Sequence, residues 1–211
     1  MIYLVGSSLE FDGVKTIILN EIKLTNFELD LKSFDCLILT SKNSIKSLEH
    51  NNIKPNENIE VFSIGETTSS YALQFGFKKI YTSKNSHGNE FGIEILPFLK
   101  SKKVLYLRAK KVVSNIFDFL TQNKVDIKCI IAYENISKMI DLKQKPSKNS
   151  IIIFTSPSSV DNFIMNFGWD ESYKAICIGN TTANRINFTK KITISKKQTI
   201  NSCIELAKTL L

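Results

Sequence analysis

Serine, threonine and glycine stand at four points where a strand-like run gives way to a helix-like one, and the four form two matched pairs. Thr40-Ser41-Lys42-Asn43-Ser44-Ile45 is echoed by Thr155-Ser156-Pro157-Ser158-Ser159-Val160. Ser63-Ile64-Gly65-Glu66-Thr67-Thr68 is echoed by Cys177-Ile178-Gly179-Asn180-Thr181-Thr182. Thr40 and Gly65 are 25 positions apart, Thr155 and Gly179 are 24 apart. Two motifs repeated in one order at nearly one spacing indicate two lobes of the same construction, with function expected between them.

The chemistry these corners offer is anion binding. In an open parallel sheet, ligands sit beyond the carboxyl ends of the strands. Ser41 and Ser156 suit helix N-caps, Pro157 suits a first helical position, and Gly65 and Gly179 permit close backbone approach. Four helix starts with free N–H groups make a receptor for several acid groups. Any α/β fold needs caps and turns of this kind; it is the duplication that favours a ligand.

Other chemistries lack their residues. Neither GxGxxG nor GxxxxGK[ST] is present, which argues against dinucleotide and Walker-type phosphate sites. His50 and His87 are isolated in polar stretches, are expected to be solvated, and form no metal set with Cys36, Cys129, Cys177 or Cys203. Ser156 has no histidine placed by sequence to activate it. Lys102-Lys103, Lys110-Lys111 and Lys190-Lys191 are broken up and lack interleaved aromatics, so nucleic acid is not an expected partner.

The elements that must position the corners alternate between β-rich and amphipathic runs, which points to α/β lobes with parallel sheets. Cys36-Leu-Ile-Leu39, Val104-Leu-Tyr-Leu107 and Ile151-Ile-Ile-Phe154 read as strands, and continuous apolar runs such as Cys36–Leu39 mark burial on both faces. Helices are expected from Thr67 to Phe75, with Gly76 as the stop, over Phe91, Ile95 and Leu99, and over Val112, Ile116, Phe119 and Leu120. Lys15 to Phe27 reads as one extended segment leaving the first lobe. Lys138 to Asn149 reads as a linker or surface helix.

The second copy has too few strands for a sheet of its own, and Tyr3-Leu4-Val5 supplies the missing one. One lobe is therefore expected from 1–16 and 139–211, the other from 28–127. Segments 17–27 and 128–138 would cross between them as a two-stranded β-ribbon.

At 211 residues, 43% hydrophobic and 23% charged, the chain has ordinary globular composition. No run approaches the ~20 apolar residues of a bilayer span, and the start shows neither a basic leader nor a cleavage site. The scattered cysteines read as reduced core residues of a cytoplasmic protein. A net charge of +8 suits an anionic partner.

Taken together, Leu37-Ile-Leu-Thr-Ser-Lys-Asn43, Ile64-Gly-Glu-Thr-Thr68, Gly88-Asn89, Val104-Leu-Tyr-Leu-Arg108, Ala132-Tyr133, Ile153-Phe-Thr-Ser-Pro157 and Ile178-Gly-Asn-Thr-Thr182 resemble the uroporphyrinogen-III synthase family, in its order and over nearly the whole chain. The resemblance implies two flavodoxin-like α/β lobes joined by a ribbon. It implies a lyase of tetrapyrrole biosynthesis that converts hydroxymethylbilane, a linear tetrapyrrole with eight carboxylates, into uroporphyrinogen III. In that reaction the terminal hydroxyl leaves as water, the last pyrrole is inverted through a spiro intermediate, and no cofactor or metal takes part.

By match to the family motifs, Tyr133 donates a proton to the departing hydroxyl. Thr40, Ser41, Lys42, Thr67, Ser156, Ser158 and Thr181 bind substrate carboxylates, joined by Lys174 and Asn89. The family departures are Ala109 where glycine is frequent and Lys190 at the place corresponding to Gly76. The implied form is a cytoplasmic monomer, touching the preceding pathway enzyme transiently. Two other readings stand beside this one: a two-lobed module that closes on a small polyanion without chemistry, and a two-lobe sugar-nucleotide transferase.

Overall fold

The computed structural model describes residues 1–7, 9–84, 88–112 and 114–211. The chain opens with β1 (Ile2–Val5), β2 (Val14–Ile17) and β3 (Asn20–Leu24). Its middle carries β4 (Cys36–Leu39), α1 (Lys42–His50), β5 (Glu60–Ser63), α2 (Glu66–Phe75), β6 (Lys79–Thr82), α3 (Gly88–Ile95), β7 (Lys103–Ala109), α4 (Ile116–Gln122) and β8 (Asp126–Ser137). The last third carries β9 (Ile151–Phe154), α5 (Pro157–Phe167), β10 (Lys174–Cys177), α6 (Asn180–Ala183), β11 (Ile192–Ile194) and α7 (Ile200–Lys208).

The chain divides into two compact units, one made of Met1–Glu21 and Ile136–Leu211, the other of Ile22–Asn135. The first has a sheet ordered β11-β10-β9-β1-β2, the second a sheet ordered β3-β8-β7-β4-β5-β6. Read from the β11 and β6 edges, five positions correspond: β9 with β4, β10 with β5, β11 with β6, β1 with β7 and β2 with β8. The motif duplication is thus a duplication of topology, with β1 filling the place in the first unit that β7 fills in the second. All paired strands of these two sets of five run parallel.

In the first unit Tyr3, Val5, Ile152 and Phe154 point into a core with Val160, Phe163 and Tyr173. Ile2, Leu4, Ile151 and Ile153 point to the opposite face, against Cys203, Ile204 and Ala207. The second unit repeats this. Leu37, Leu39, Leu105 and Leu107 meet Ile45 and Leu48 on one face; Cys36, Ile38, Val104 and Tyr106 meet Phe91, Ile95, Ile116 and Leu120 on the other. Successive side chains of a strand alternate faces, so a sheet covered on both sides requires an uninterrupted apolar run.

The chain changes units within β3 and within β8. Thr25 N–H donates to the Ala132 carbonyl at 3.0 Å and Lys138 N–H to that of Leu19 at 2.8 Å. Position rises on one strand as it falls on the other, so the two pair antiparallel, the expected ribbon.

Local expectations differ from the structure in two places. Lys15 to Phe27 is not one extended segment: Val14–Ile17 forms the edge of the first unit's sheet in register with Ile2–Val5. Its half-exposed alternation is that of an edge strand, and only Ile17 is buried. Val112 lies outside α4 and is exposed; its spacing to Ile116 is coincidental, because the loop leaving β7 occupies that stretch. Of the two readings for Lys138 to Asn149 the linker holds: the stretch has only a 3-10 turn, Leu142–Gln144, capped by Asp141.

The expected glycine stop of α2 is present: Gly76 has φ +117° and closes the helix with its N–H on Ala72 and Leu73 carbonyls. A β-carbon there would meet Pro55 Cγ at 2.9 Å. Gly76→Ala should therefore destabilise the protein by about 1–3 kcal/mol, read as a lower urea midpoint at unchanged slope. An unchanged midpoint would show that α2 does not need the left-handed residue.

Candidate active site

Strand register gathers the polar corners. Leu39 lies opposite both Ser63 and Leu107, so Thr40 and Ile64-Gly65 leave the second unit's sheet along one edge, level with Arg108 of β7. In the first unit Phe154 lies opposite both Val5 and Cys177, and Gly6, Thr155-Ser156 and Ile178-Gly179 do the same. Each edge carries one corner capped by serine and one beginning at glycine.

Ser41 has extended backbone, φ −163° and ψ 147°, and its Oγ accepts from Asn43 N–H at 3.2 Å. Ser156 is extended in the same way and forms a reciprocal capping box: Ser159 N–H donates to Ser156 Oγ and Ser156 N–H to Ser159 Oγ, both at 3.1 Å. Ser158 is exposed, its hydroxyl 3.1 Å from that of Ser156. The glycine corners are different. Gly65 and Gly179 supply no side-chain acceptor to α2 and α6, so first-turn N–H groups there remain open to water or an anion. Thr67 and Thr181 are exposed in those first turns.

Tyr133 is 7% exposed and packs in the core around Leu39 and Leu107. Its position comes from a register shift between Arg108 and Ala109, which places Tyr133 rather than Ala132 opposite Ala109. A bulge of this kind re-aims a side chain at the end of a ladder. Burial pushes the Tyr133 phenol above the usual tyrosine value, with Ser41 pulling it partly back. Ser41 Oγ accepts from Asn43, so the proton of its own hydroxyl is left to donate. The phenol's proton then remains free for another acceptor.

Thr40 Oγ1 lies 3.4 Å from the hydroxyl of Tyr106, a residue 1% exposed in the middle of β7. Burial pushes that phenol up too, offset by hydrogen bonds with Thr40 and Ser114. Tyr106 and Tyr133 thus bring two protonated phenols to the Thr40-Ser41 corner. Lys42 Nζ sits 5.4 Å above the Tyr71 ring of α2, a cation–π contact that orients it.

One expected binding residue, Lys174, lies away from the others, and Asn89 lies beside the cavity at the end of β7. Lys174 opens β10 opposite Ile151, at the amino end of the sheet, and its Nζ donates to the Leu210 carbonyl at 2.9 Å. Asn89 is exposed, and its Oδ1 accepts from Asn115 N–H at 3.1 Å, fastening α3 to the loop before α4. His87 lies outside the described residues. His50 is exposed, and its Nε2 is 2.8 Å from Asn26 Oδ1.

Sequence reasoning passed over Tyr106 and Arg108. Both fall on one face of β7, and a polar-tipped aromatic inside an apolar strand followed two residues later by arginine was the available signal. They line a cavity of about 380 Å³ at the carboxyl end of β7. A larger cavity, about 700 Å³, lies between residues 27–32 and 51–58 at the amino ends of β4 and β5, away from the corners. Among the described residues, no three His, Cys, Asp or Glu side chains are grouped to hold a metal. No helix there is long and apolar enough to cross a membrane.

Comparison with known proteins gives one family. Residues 9–205 match the family model described as uroporphyrinogen-III synthase HemD. The crystal structure of uroporphyrinogen-III synthetase from Helicobacter pylori 26695 is similar at 36% identity and TM-score 0.81, covering 100% of this chain and 99% of that one. A mutant uroporphyrinogen III synthase from the extremely thermophilic bacterium Thermus thermophilus shares the fold at 9% identity and TM-score 0.55, covering 99% and 97%. No curated protein matches the sequence.

Burial also pushes the Cys36 thiol up to about 11 and that of Cys177 to about 12. These thiols and the two phenols release protons from the unfolded chain first, near about 8.5 for cysteine and 10 for tyrosine. Their contribution to stability is complete below about pH 8.5 and is lost as pH rises through the folded values. Denaturant midpoints should be flat from neutrality to about pH 8.5 and fall above it; a midpoint at about pH 11 equal to the neutral one would contradict the burial of these groups.

Proposed function

The chain belongs to the uroporphyrinogen-III synthase family, and from that we propose how its residues close hydroxymethylbilane into uroporphyrinogen III with loss of water and inversion of the last pyrrole. Tyr133 is the proton donor to the departing hydroxyl. A phenol raised by burial is fully protonated at neutral pH, and the Ser41 hydroxyl steadies its oxygen as charge develops there. The observation carrying this assignment is the bulge that delivers Tyr133 to the serine-capped corner.

The substrate closes without help to the uninverted ring, so acceleration must come largely from holding it in the geometry of inverted closure. Thr40, Ser41, Lys42, Thr67, Ser156, Ser158 and Thr181, with the open N–H groups after Gly65 and Gly179, are the carboxylate anchors. Each charge-assisted hydrogen bond contributes roughly 1.5–3 kcal/mol, so several of them fix a flexible polyacid without a dense arginine cluster. Lys174, held by the Leu210 carbonyl, serves the fold instead, and Asn89 steadies Asn115. The net charge of +8 steers an eight-fold acid toward the protein. In this reading the single chain acts alone in the cytoplasm.

Incubation with fresh hydroxymethylbilane, followed by separation of the ring isomers, tests the reading. Isomer III should form faster than isomer I forms spontaneously. Tyr133→Phe should lower kcat by about 10²–10⁴-fold, the usual share of a general acid. Isomer I alone, at the uncatalysed rate, would leave only a polyanion-binding role.

A further inference from the structure

The cavity at the end of β7 has walls of opposite charge. Arg108 is anchored by its Nε donating to Cys129 Sγ at 2.9 Å, leaving its terminal N–H groups unengaged by any acidic side chain among the described residues. Asp118, exposed in the first turn of α4, also faces the space and is not ion-paired with Arg108. Tyr106 and Ser114 add hydroxyls, and Val112 and Phe117 add apolar surface. A simple anion would meet Arg108 but be repelled by Asp118, and a simple cation the reverse. A group with an acid arm and a separate N–H donor satisfies both.

We propose that this cavity is a subsite for one carboxylate-bearing pyrrole ring, its acid arm on Arg108 and its ring N–H on Asp118, with Phe117 and Val112 against the ring. At about 380 Å³ it sits at the lower end of the roughly 300–1,000 Å³ of ligand pockets, which suits one ring and not a whole tetrapyrrole. The inference rests on the proposed reaction, because a linear tetrapyrrole presents that ring four times. The subsite adjoins Thr40 through Tyr106, so a ring held there is fixed relative to the Thr40-Ser41 corner.

The test uses the full chain and two probes: hydroxymethylbilane for kinetics, and a monopyrrole with acetate and propionate arms, plain or N-methylated, for calorimetry. Arg108→Gln should raise KM and weaken monopyrrole binding about 10- to 100-fold, the loss of a paired charge-assisted contact, with kcat changed far less. Arg108→Lys, which keeps charge without the planar fork, should fall between. Asp118→Asn should abolish the preference of the wild type for the plain over the N-methylated monopyrrole; this exposed position puts no burden on folding and decides the matter if Arg108→Gln melts early. Isomer III production with KM and monopyrrole affinity unchanged in Arg108→Gln overturns the subsite and leaves the reaction standing. A wild type that binds no monopyrrole overturns it as well. Isomer I alone from the wild type removes the reaction, and the calorimetry still judges the cavity.

Discussion

The central strands of each unit end in step, and the site depends on that register. A buried strand must pair every backbone N–H and C=O with its neighbours, so β4 and β5 share one span with β7, which alone runs on to Ala109 beside β8, and β9, β10 and β1 share another. Leu39, Ser63 and Leu107 lie level, as do Val5, Phe154 and Cys177. The polar corners that follow are therefore brought to one edge of each sheet without any contact among themselves. A slip of one residue would turn Ile38 and Tyr106 to the wrong face and scatter the corners.

Within that frame the second unit departs from regularity once, between Arg108 and Ala109. The departure sets Tyr133 opposite Ala109, and Ser41 acquires two tasks: it caps α1 through Asn43, and it offsets part of the effect of burial on the phenol. The same burial that fills the core around Leu39 and Leu107 keeps the phenol neutral. The packing of the core and the protonation of the phenol therefore draw on one set of contacts.

The two units are alike in topology and unlike in chemistry. Leu4 of β1 and Gly6 just beyond it occupy the places that Tyr106 and Arg108 occupy in β7. A β-carbon at Gly6 would meet Thr155 Oγ1 at 2.8 Å, so no arginine fits there. The first unit thus offers hydroxyls and backbone N–H groups, whereas the phenols and the charged cavity belong to the second. The second helix differs too. α6 ends after a single turn at Ala183, whereas α2 runs on to Phe75.

The sequence alone determined the features that depend on local chemistry. The repeated corners, the apolar runs of strands buried on both faces, the left-handed stop at Gly76, the serine caps and the family resemblance were all legible in neighbouring residues. Even the first unit's composition from both chain ends followed from counting strands. Tertiary structure decided whatever depends on pairing between distant segments. Val14–Ile17 became an edge strand because β1 offered it a partner, and Val112 dropped out of a helix its spacing suggested. Lys174 fell at the amino end of its sheet because register, not proximity to Gly179, sets depth along a strand. Tyr106 and Arg108 gained their place at the site through the pairing of β7 with β4, some 70 residues earlier, and through the return of α4 over the end of β7.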